Sequence, residues 1–316
     1  MKALIVGVTG QDGAYLAHHL LDIGYQVIGT SRDCQSCDSS RLSLLGIKND
    51  IEITSLAPND FRSVLKIVST VMPVEIYNLS GQTSVGLSFD QPVECMESIA
   101  SATLNFLEVI RYLGNSIKYF SAGSSECFGD CGMLRATEET KFKPRSPYGV
   151  AKSAAFWQVA TYRTAYNMHA CTGILSNHES PLRPKKFVTR KIIDGVIAIK
   201  EDKSKVLKLG NLDIFRDWGW APDYVKAMHL MLQAPVAKDY LIASGHTNSL
   251  NTFVSHAFNL AGLKKSQYLQ IDDLLKRPSD LSYSALNPEL IKRDIGWSSS
   301  KTIEEIVEKM YFGDLF

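Results

Sequence analysis

Glycines at positions 7, 10 and 13 punctuate the N-terminal stretch ALIVGVTGQDGAYLAHHLLDIGY. Residues 3–8 before and among them are short and apolar, the pattern of a strand buried on both faces. Residues 13–24 place Tyr15, Leu16, His19, Leu20 and Ile23 at helical spacing. Strand, G-x-x-G-x-x-G, helix is the layout of a phosphate-binding turn. Gly7 permits the tight turn, Gly10 lets a pyrophosphate approach the backbone, and Gly13 lets the helix pack close to the strand. The helix N-terminus then presents free N–H groups and a partial positive charge. Dinucleotide binding is the expectation.

The chain continues in the same alternation. Residues 25–32, 74–80, 117–125, 169–177 and 239–245 read as strands, and the stretches near 93–113, 148–166 and 223–233 as helices. Strands alternating with helices predict an α/β fold with a doubly wound parallel Rossmann sheet. After residue 177 the pattern loosens: SNHESPLRPKKFVTRK holds two prolines and five basic residues. A smaller, mostly C-terminal α/β domain for substrate is expected over 177–211 and 246–316. The dinucleotide-binding domain is expected over 1–176, with a returning segment near 212–245. The last helix is expected at SKTIEEIVEKMYF, capped by Ser300 with Glu304 in its first turns.

A length of 316 residues suffices for one large domain or two modest ones. The formal net charge of +1 gives no global attraction to nucleic acid or to an anionic membrane. No apolar run reaches the ~18 residues that span a bilayer, and MKALIVGVTG ends in a glycine turn, unlike a signal peptide. Cys34 and Cys37 form a C-x-x-C with no second pair or histidine motif beside it, so no metal site is predicted. Reduced thiols and a cytoplasmic location are the expectation.

Two further clusters carry chemistry. Tyr148 and Lys152 form Y-x-x-x-K on a predicted helix, where an i, i+4 spacing puts both on one face. A nearby ammonium stabilises phenolate, so the tyrosine pKa is expected to fall from ~10 towards neutrality. Tyr148 then becomes an acid or base for a hydroxyl undergoing oxidation. Ser124-Ser125-Glu126 ends a predicted strand, and strand C-termini line the ligand crevice of such sheets. Ser124 is placed to hydrogen-bond the reacting oxygen. Glu126 is a second, separate acid/base group, which a simple alcohol dehydrogenase does not need. The second strand ends in Thr30-Ser31-Arg32-Asp33. Arg32 suits a ribose 2′-phosphate and favours NADP, while Asp33 keeps NAD open.

TGQDG (9–13), SSE (124–126), SPYGVAK (146–152), NHESP (177–181), FVTRK (187–191) and GNLDIFRDWG (210–219) together resemble the GDP-mannose 4,6-dehydratases of the extended short-chain dehydrogenase/reductase family. The resemblance runs over essentially the whole chain. It implies a hydro-lyase in which Tyr148, supported by Lys152 and Ser124, takes the sugar O4 proton as hydride leaves C4. Glu126 then removes the C5 proton and helps the C6 hydroxyl leave, and the hydride returns to C6. By the same resemblance Thr9, Gln11, Asp12, Leu79, Gln82, His178 and Arg183 contact the cofactor. Ser84, Asn177, Val188, Lys191, Arg216, Arg277 and Asp280 contact the nucleotide sugar, whereas Lys185 and Lys186 belong to a solvated basic loop. The family forms homodimers or homotetramers. In the tetramers the loop filled here by 33–42 approaches a neighbouring subunit's cofactor, with Arg41 the best candidate.

Several positions depart from the family pattern. Ser124 replaces a Thr, Ser55-Leu56 an Asp-Leu, Gln82-Thr83-Ser84 a Gln-Ser-His, and Asp280 a Glu. Residues 93–102 lack a Tyr and a Gly found there. These departures leave open another hexose or heptose on GDP. They also leave open an NADPH-dependent reductase or epimerase of a nucleotide-linked 4-keto sugar, or a non-catalytic NADP-binding protein.

Overall fold

The structure is a computed structural model that describes residues 1–114, 116–275 and 281–316. Strands Lys2–Val6 (β1), Gln26–Ser31 (β2), Glu52–Ser55 (β3), Glu75–Asn78 (β4), Lys118–Ser124 (β5) and Ala170–Leu175 (β6) alternate with helices. They are followed by Asn177–Glu179 (β7), Leu207–Leu209 (β8), Phe215–Trp220 (β9) and Tyr240–Ile242 (β10). Seven of these form one parallel sheet in the order β10-β6-β5-β4-β1-β2-β3. The chain reverses direction across the sheet at β1, which makes its C-terminal edge beside β4 the switch point where ligands bind.

Period-two alternation within β1 explains the two layers. Ala3 and Ile5 face the helices Gln11–Asp22 and Ala221–Gln233, packing with Ala14, Leu20, Val225 and Met228. Leu4 and Val6 face the other way, onto Val64, Val68, Phe106 and Ile110. All of these side chains are fully or almost fully buried, and each of the Val, Leu, Ile, Phe and Met side chains among them contributes about 1.5–3 kcal/mol over an exposed position. β4 and β6 are buried along their whole lengths.

A second assembly surrounds β9. It pairs antiparallel with Thr247–Ser249 (β11) and parallel with both β7 and Tyr283–Ser284 (β13). A separate pair joins β8 to Leu269–Ile271 (β12). Helices Val188–Glu201, Leu250–Leu260 and Ile303–Phe312 enclose its core of Ile192, Ile193, Val196, Phe253, Phe258, Ile306 and Val307.

Three expectations need correcting in detail. The apolar run 169–177 is not one strand: Ser176 donates to Asp217 Oδ1 at 2.9 Å and meets the Tyr224 hydroxyl at 2.7 Å. That anchoring hands the chain from β6 in the large sheet to β7 in the small one. The helical stretch near 93–113 contains a π-helical turn at Glu97–Ser101, where the Ser98 hydroxyl accepts from the Gln82 N–H at 3.2 Å. The last helix is capped by Thr302, which closes a reciprocal capping box with Glu305. Ser300 is not the cap because its N–H and hydroxyl both bond Asp223 Oδ2, each at 2.8 Å.

Candidate active site

β1 ends at Val6, level with Thr30 of β2 and Asn78 of β4, so the loops that follow leave from one edge. Gly7 has φ +88, the left-handed region, and its N–H bonds Thr30 O at 3.2 Å. A Cβ on Gly13 would lie 2.3 Å from Gly7 O and 2.7 Å from Val8 Cα, so only hydrogen fits where the helix meets the strand. Gly10 begins the helix with no side chain capping it. The glycine turn therefore presents uncapped helix N–H groups in a cradle without side chains, which suits a pyrophosphate.

Gln11 and Asp12 reach out of this turn. Gln11 Nε2 donates to His178 O at 3.2 Å, and its Oε1 accepts from the Ser180 hydroxyl at 2.8 Å. Asp12 Oδ2 lies 2.9 Å from His178 Nε2, whose Nδ1 lies 2.8 Å from Ser176 O. The ring stacks on Tyr224. Burial disfavours the Asp12 carboxylate, yet the His178 charge and hydrogen bond win and hold its pKa at about 2. For His178, burial is likewise outweighed by Asp12, and its pKa rises.

A cavity of about 190 Å³ opens beside this pair. It brings together Ser124 and Glu126 from the end of β5, and Tyr148 and Lys152 from the helix Pro147–Tyr166. Ser146 fixes where that helix starts: its hydroxyl accepts from Gly149 N–H at 3.0 Å, and Pro147 occupies the first turn. Of the predicted contacts, Asp12, Leu79, Ser84, Asn177, His178, Arg183 and Arg216 line the same cavity.

One electrostatic expectation is overturned. Burial pushes the Tyr148 phenol up rather than down, against a lowering hydrogen bond with Ser124. Lys152 has a backbone partner of its own. Its ammonium donates to Ala122 O at 2.6 Å and sits 5.8 Å from the Tyr148 ring centre, and burial lowers its own pKa to about 8. Spacing placed the two on one helix face; it did not register that both are almost fully enclosed.

The remaining predicted residues that the structure describes do not line the cavity. Gly7, Gly10 and Gly13 form the turn behind it, and Thr9 offers its carbonyl to Arg41 Nη1 at 3.2 Å. Arg41 Nε also donates to Leu182 O at 2.9 Å, so in this chain it staples its own glycine turn to the 180s loop. Gln82 Nε2 donates to Ser84 O at 2.8 Å, and Ser84 caps the helix Val85–Asp90. The Arg32 side chain is 87% exposed, 4.0 Å from Glu94. Val188 is half-buried and Lys191 exposed. Arg277 and Asp280 lie outside the described residues.

Ten lining residues were not among the predicted contacts, Phe187 and Lys186 among them. Phe187 carries the Arg183 guanidinium 3.8 Å over its ring, and Lys186 borders the cavity beside it while staying exposed, as expected of a solvated loop.

The sequence matches the model of the GDP-mannose 4,6 dehydratase family over residues 4–310. It is 39% identical over 337 residues to a GDP-mannose 4,6-dehydratase of Sinorhizobium fredii, covering 99% of this chain and 96% of that one. It is 38% identical over 323 residues to GDP-mannose 4,6 dehydratase 2 of Arabidopsis thaliana, covering 99% and 86%. Among solved structures, a dTDP-glucose 4,6-dehydratase from Bacillus anthracis superposes with a TM-score of 0.85 at 19% identity, covering 99% and 97%. A UDP-glucose 4-epimerase from Thermotoga maritima gives 0.87 at 19%, covering 99% of both chains. Dehydratase and epimerase fit equally well, so the shared fold does not select a chemistry. The match along almost the full length, at well over a third identity, does select a lineage: the chain belongs to the GDP-mannose 4,6 dehydratase family.

Proposed function

We propose that this chain is a hydro-lyase that converts GDP-mannose to a GDP-linked 4-keto-6-deoxy sugar and water. The observation that carries this reading is the pairing of two distinct proton-transfer groups, the Tyr148 phenol and the Glu126 carboxyl, in one cavity with Ser124 and Lys152. Oxidation alone needs one acid/base group; moving a proton at carbon while expelling a hydroxyl needs another. When bound, a nicotinamide dinucleotide supplies the acceptor for the C4 hydride and its return at C6. Tyr148 takes the O4 proton, with Ser124 hydrogen-bonding that oxygen and Lys152 supplying positive charge. Glu126 removes the C5 proton and delivers a proton to the departing C6 hydroxyl.

The glycine turn, Asp12, Leu79, His178 and Arg183 are the cofactor side of this reading, and Ser84, Asn177 and Arg216 the substrate side. NADP is the favoured cofactor. Asp33 spends its carboxylate on its own loop, accepting from Gln35 N–H at 2.9 Å and the Ser36 hydroxyl at 2.6 Å. Arg32 is left extended toward solvent for a 2′-phosphate. We assign residues 1–176 with 212–245 to cofactor binding, and 177–211 with 246–316 to the sugar nucleotide. We also assign a homo-oligomer built on the helices near 92–112 and 147–166. Val93, Tyr112, Val150 and Trp157 on these helices are exposed, Trp157 by 60%. A cytoplasmic location agrees with six free thiols.

Incubation with GDP-mannose and NADP tests the reaction. The expected product is lighter by one water, with no net change in reduced cofactor. Net NADPH consumption would instead identify a reductase, and cofactor binding without any conversion would identify a non-catalytic protein.

A further inference from the structure

The C-x-x-C at Cys34 and Cys37 has no role in the reaction assigned above. Both thiols are free and partly accessible, whereas those of Cys95, Cys127 and Cys171 are buried. Burial pushes the Cys95, Cys127, Cys131 and Cys171 thiols up, which keeps them in the unreactive protonated form. Cys34 and Cys37 share one bend. The Asp33 carboxylate folds it, accepting from Gln35 N–H at 2.9 Å and from the Ser36 hydroxyl at 2.6 Å. Across that bend the Cys37 S–H donates to Cys34 O at 3.4 Å. A sulfur that already reaches the other cysteine's backbone needs only side-chain rotation and a small local shift to reach its sulfur.

Both ends of the bend are anchored. Upstream, Ser31 of β2 is in register with Ser55 of β3, and Cys34 N–H donates to Ser55 Oγ at 3.0 Å. Downstream, the helix Ser40–Leu44 buries Leu42 completely, and its Arg41 bonds Thr9 O and Leu182 O. The segment therefore joins the end of β2, where Arg32 projects, to the staple on the glycine turn. A covalent bond that contracts the bend between fixed ends has to be taken up by the residues between Ser31 and Arg41, Arg32 among them.

We propose that Cys34 and Cys37 are a reversible thiol–disulfide pair whose oxidation weakens NADP binding. The oxidant is a low-molecular-weight disulfide, RSSR. One cysteine thiolate attacks it and expels RS⁻; the second attacks the resulting mixed disulfide and expels another. The RSSR bond breaks, the Cys34–Cys37 bond forms, and the two thiol protons leave on two RSH. The protein sulfurs are oxidised and those of RSSR reduced. A reducing compartment holds the pair as dithiol, and the disulfide forms only as the surrounding thiol pool turns oxidised. The effect on NADP rests on the reading of Arg32 as the contact of the 2′-phosphate.

Equilibrating the whole protein in buffers of graded reduced and oxidised glutathione tests it, read by intact mass, peptide mapping and NADP titration. The oxidised protein is expected to be lighter by two hydrogens, with the link mapped between Cys34 and Cys37. It should bind NADP about 10-fold more weakly than the reduced protein, the worth of one charge-assisted hydrogen bond. Dithiothreitol should restore both mass and affinity, and the double variant Cys34→Ser/Cys37→Ser should keep the reduced protein's affinity in every buffer. Absence of the 34–37 link, a loss of two hydrogens that persists in the double variant, or equal NADP affinity in the oxidised and reduced forms would each overturn the proposal. Native NADP affinity in reduced Arg32→Met would refute the 2′-phosphate assignment alone, because the comparison of oxidised with reduced protein judges this inference without that variant.

Discussion

Replacing Lys152 by methionine is expected to abolish turnover and yet make the cofactor-free protein more stable. Burial holds the ammonium's pKa down from 10.5 to about 8, a gap worth about 3 kcal/mol against the folded chain while the group is charged. Removing the side chain's 2.6 Å bond to Ala122 O returns about 2 kcal/mol of that. The net gain is about 1 kcal/mol, or a rise in Tm of about 1–2 °C for a chain of this size. The sign depends on pH in a defined way. Below pH 8 the lysine is charged in folded and unfolded chains alike and the penalty is complete. Between 8 and 10.5 only the unfolded chain keeps the proton, so the penalty fades. Urea unfolding of the native and Lys152→Met proteins at pH 7 and pH 10, without cofactor, measures both features. A variant less stable than the native protein at pH 7, or a gain that persists unchanged at pH 10, would refute the claim that the site stores an unfavourable charge for catalysis.

Glu126→Gln is expected to lower turnover by about 10²–10⁴-fold and to accumulate reduced cofactor after substrate addition, read by nicotinamide absorbance; turnover at the native rate would remove Glu126 from the chemistry. Gly13→Ala should abolish cofactor binding and cost about 1–3 kcal/mol, because its Cβ meets backbone atoms at 2.3 Å and 2.7 Å; native-like thermal unfolding and NADP titration would contradict the close-packed turn. Asp12→Asn should cost about 2 kcal/mol, with a pH dependence set by both partners. The Asp12 contribution is present above pH 3.8 and is lost as pH falls through about 2. That of His178 is present below its ordinary 6.5 and lost as pH rises through its elevated value. The native advantage should therefore be largest between about pH 4 and 6.5, and a difference that is flat from pH 3 to pH 8 in urea unfolding would refute the coupling.

What the sequence displayed well is what short-range spacing encodes. The glycine turn, the Tyr148–Lys152 face and the strand end carrying Ser124 and Glu126 each depend on neighbours within a few residues, and all four catalytic candidates meet in one cavity. What it hid depends on long-range enclosure. Tyr148 and Lys152 at helical spacing suggest a lowered phenol pKa; their nearly complete burial, a tertiary property, produces the opposite shift. The roles of Gln11 and Asp12 as ties to His178 and Ser180 span more than 160 residues, a distance that no local pattern crosses. Ser300 satisfies the rule for a cap, but Asp223, 77 residues away, takes its hydroxyl and leaves the role to Thr302. Lys185, Lys186 and Lys191 are equivalent as basic residues in a run and all three are exposed, yet only Lys186 borders the cavity.

The central claim is that one hexose loses a hydride at C4 and recovers the same hydride at C6 within a single cavity. GDP-mannose deuterated at C4, incubated with the protein and unlabelled NADP, tests it directly. The account predicts a product lighter by one water that carries the deuterium at C6. Deuterium recovered in free reduced cofactor, or absent from C6 in a dehydrated product, would contradict it.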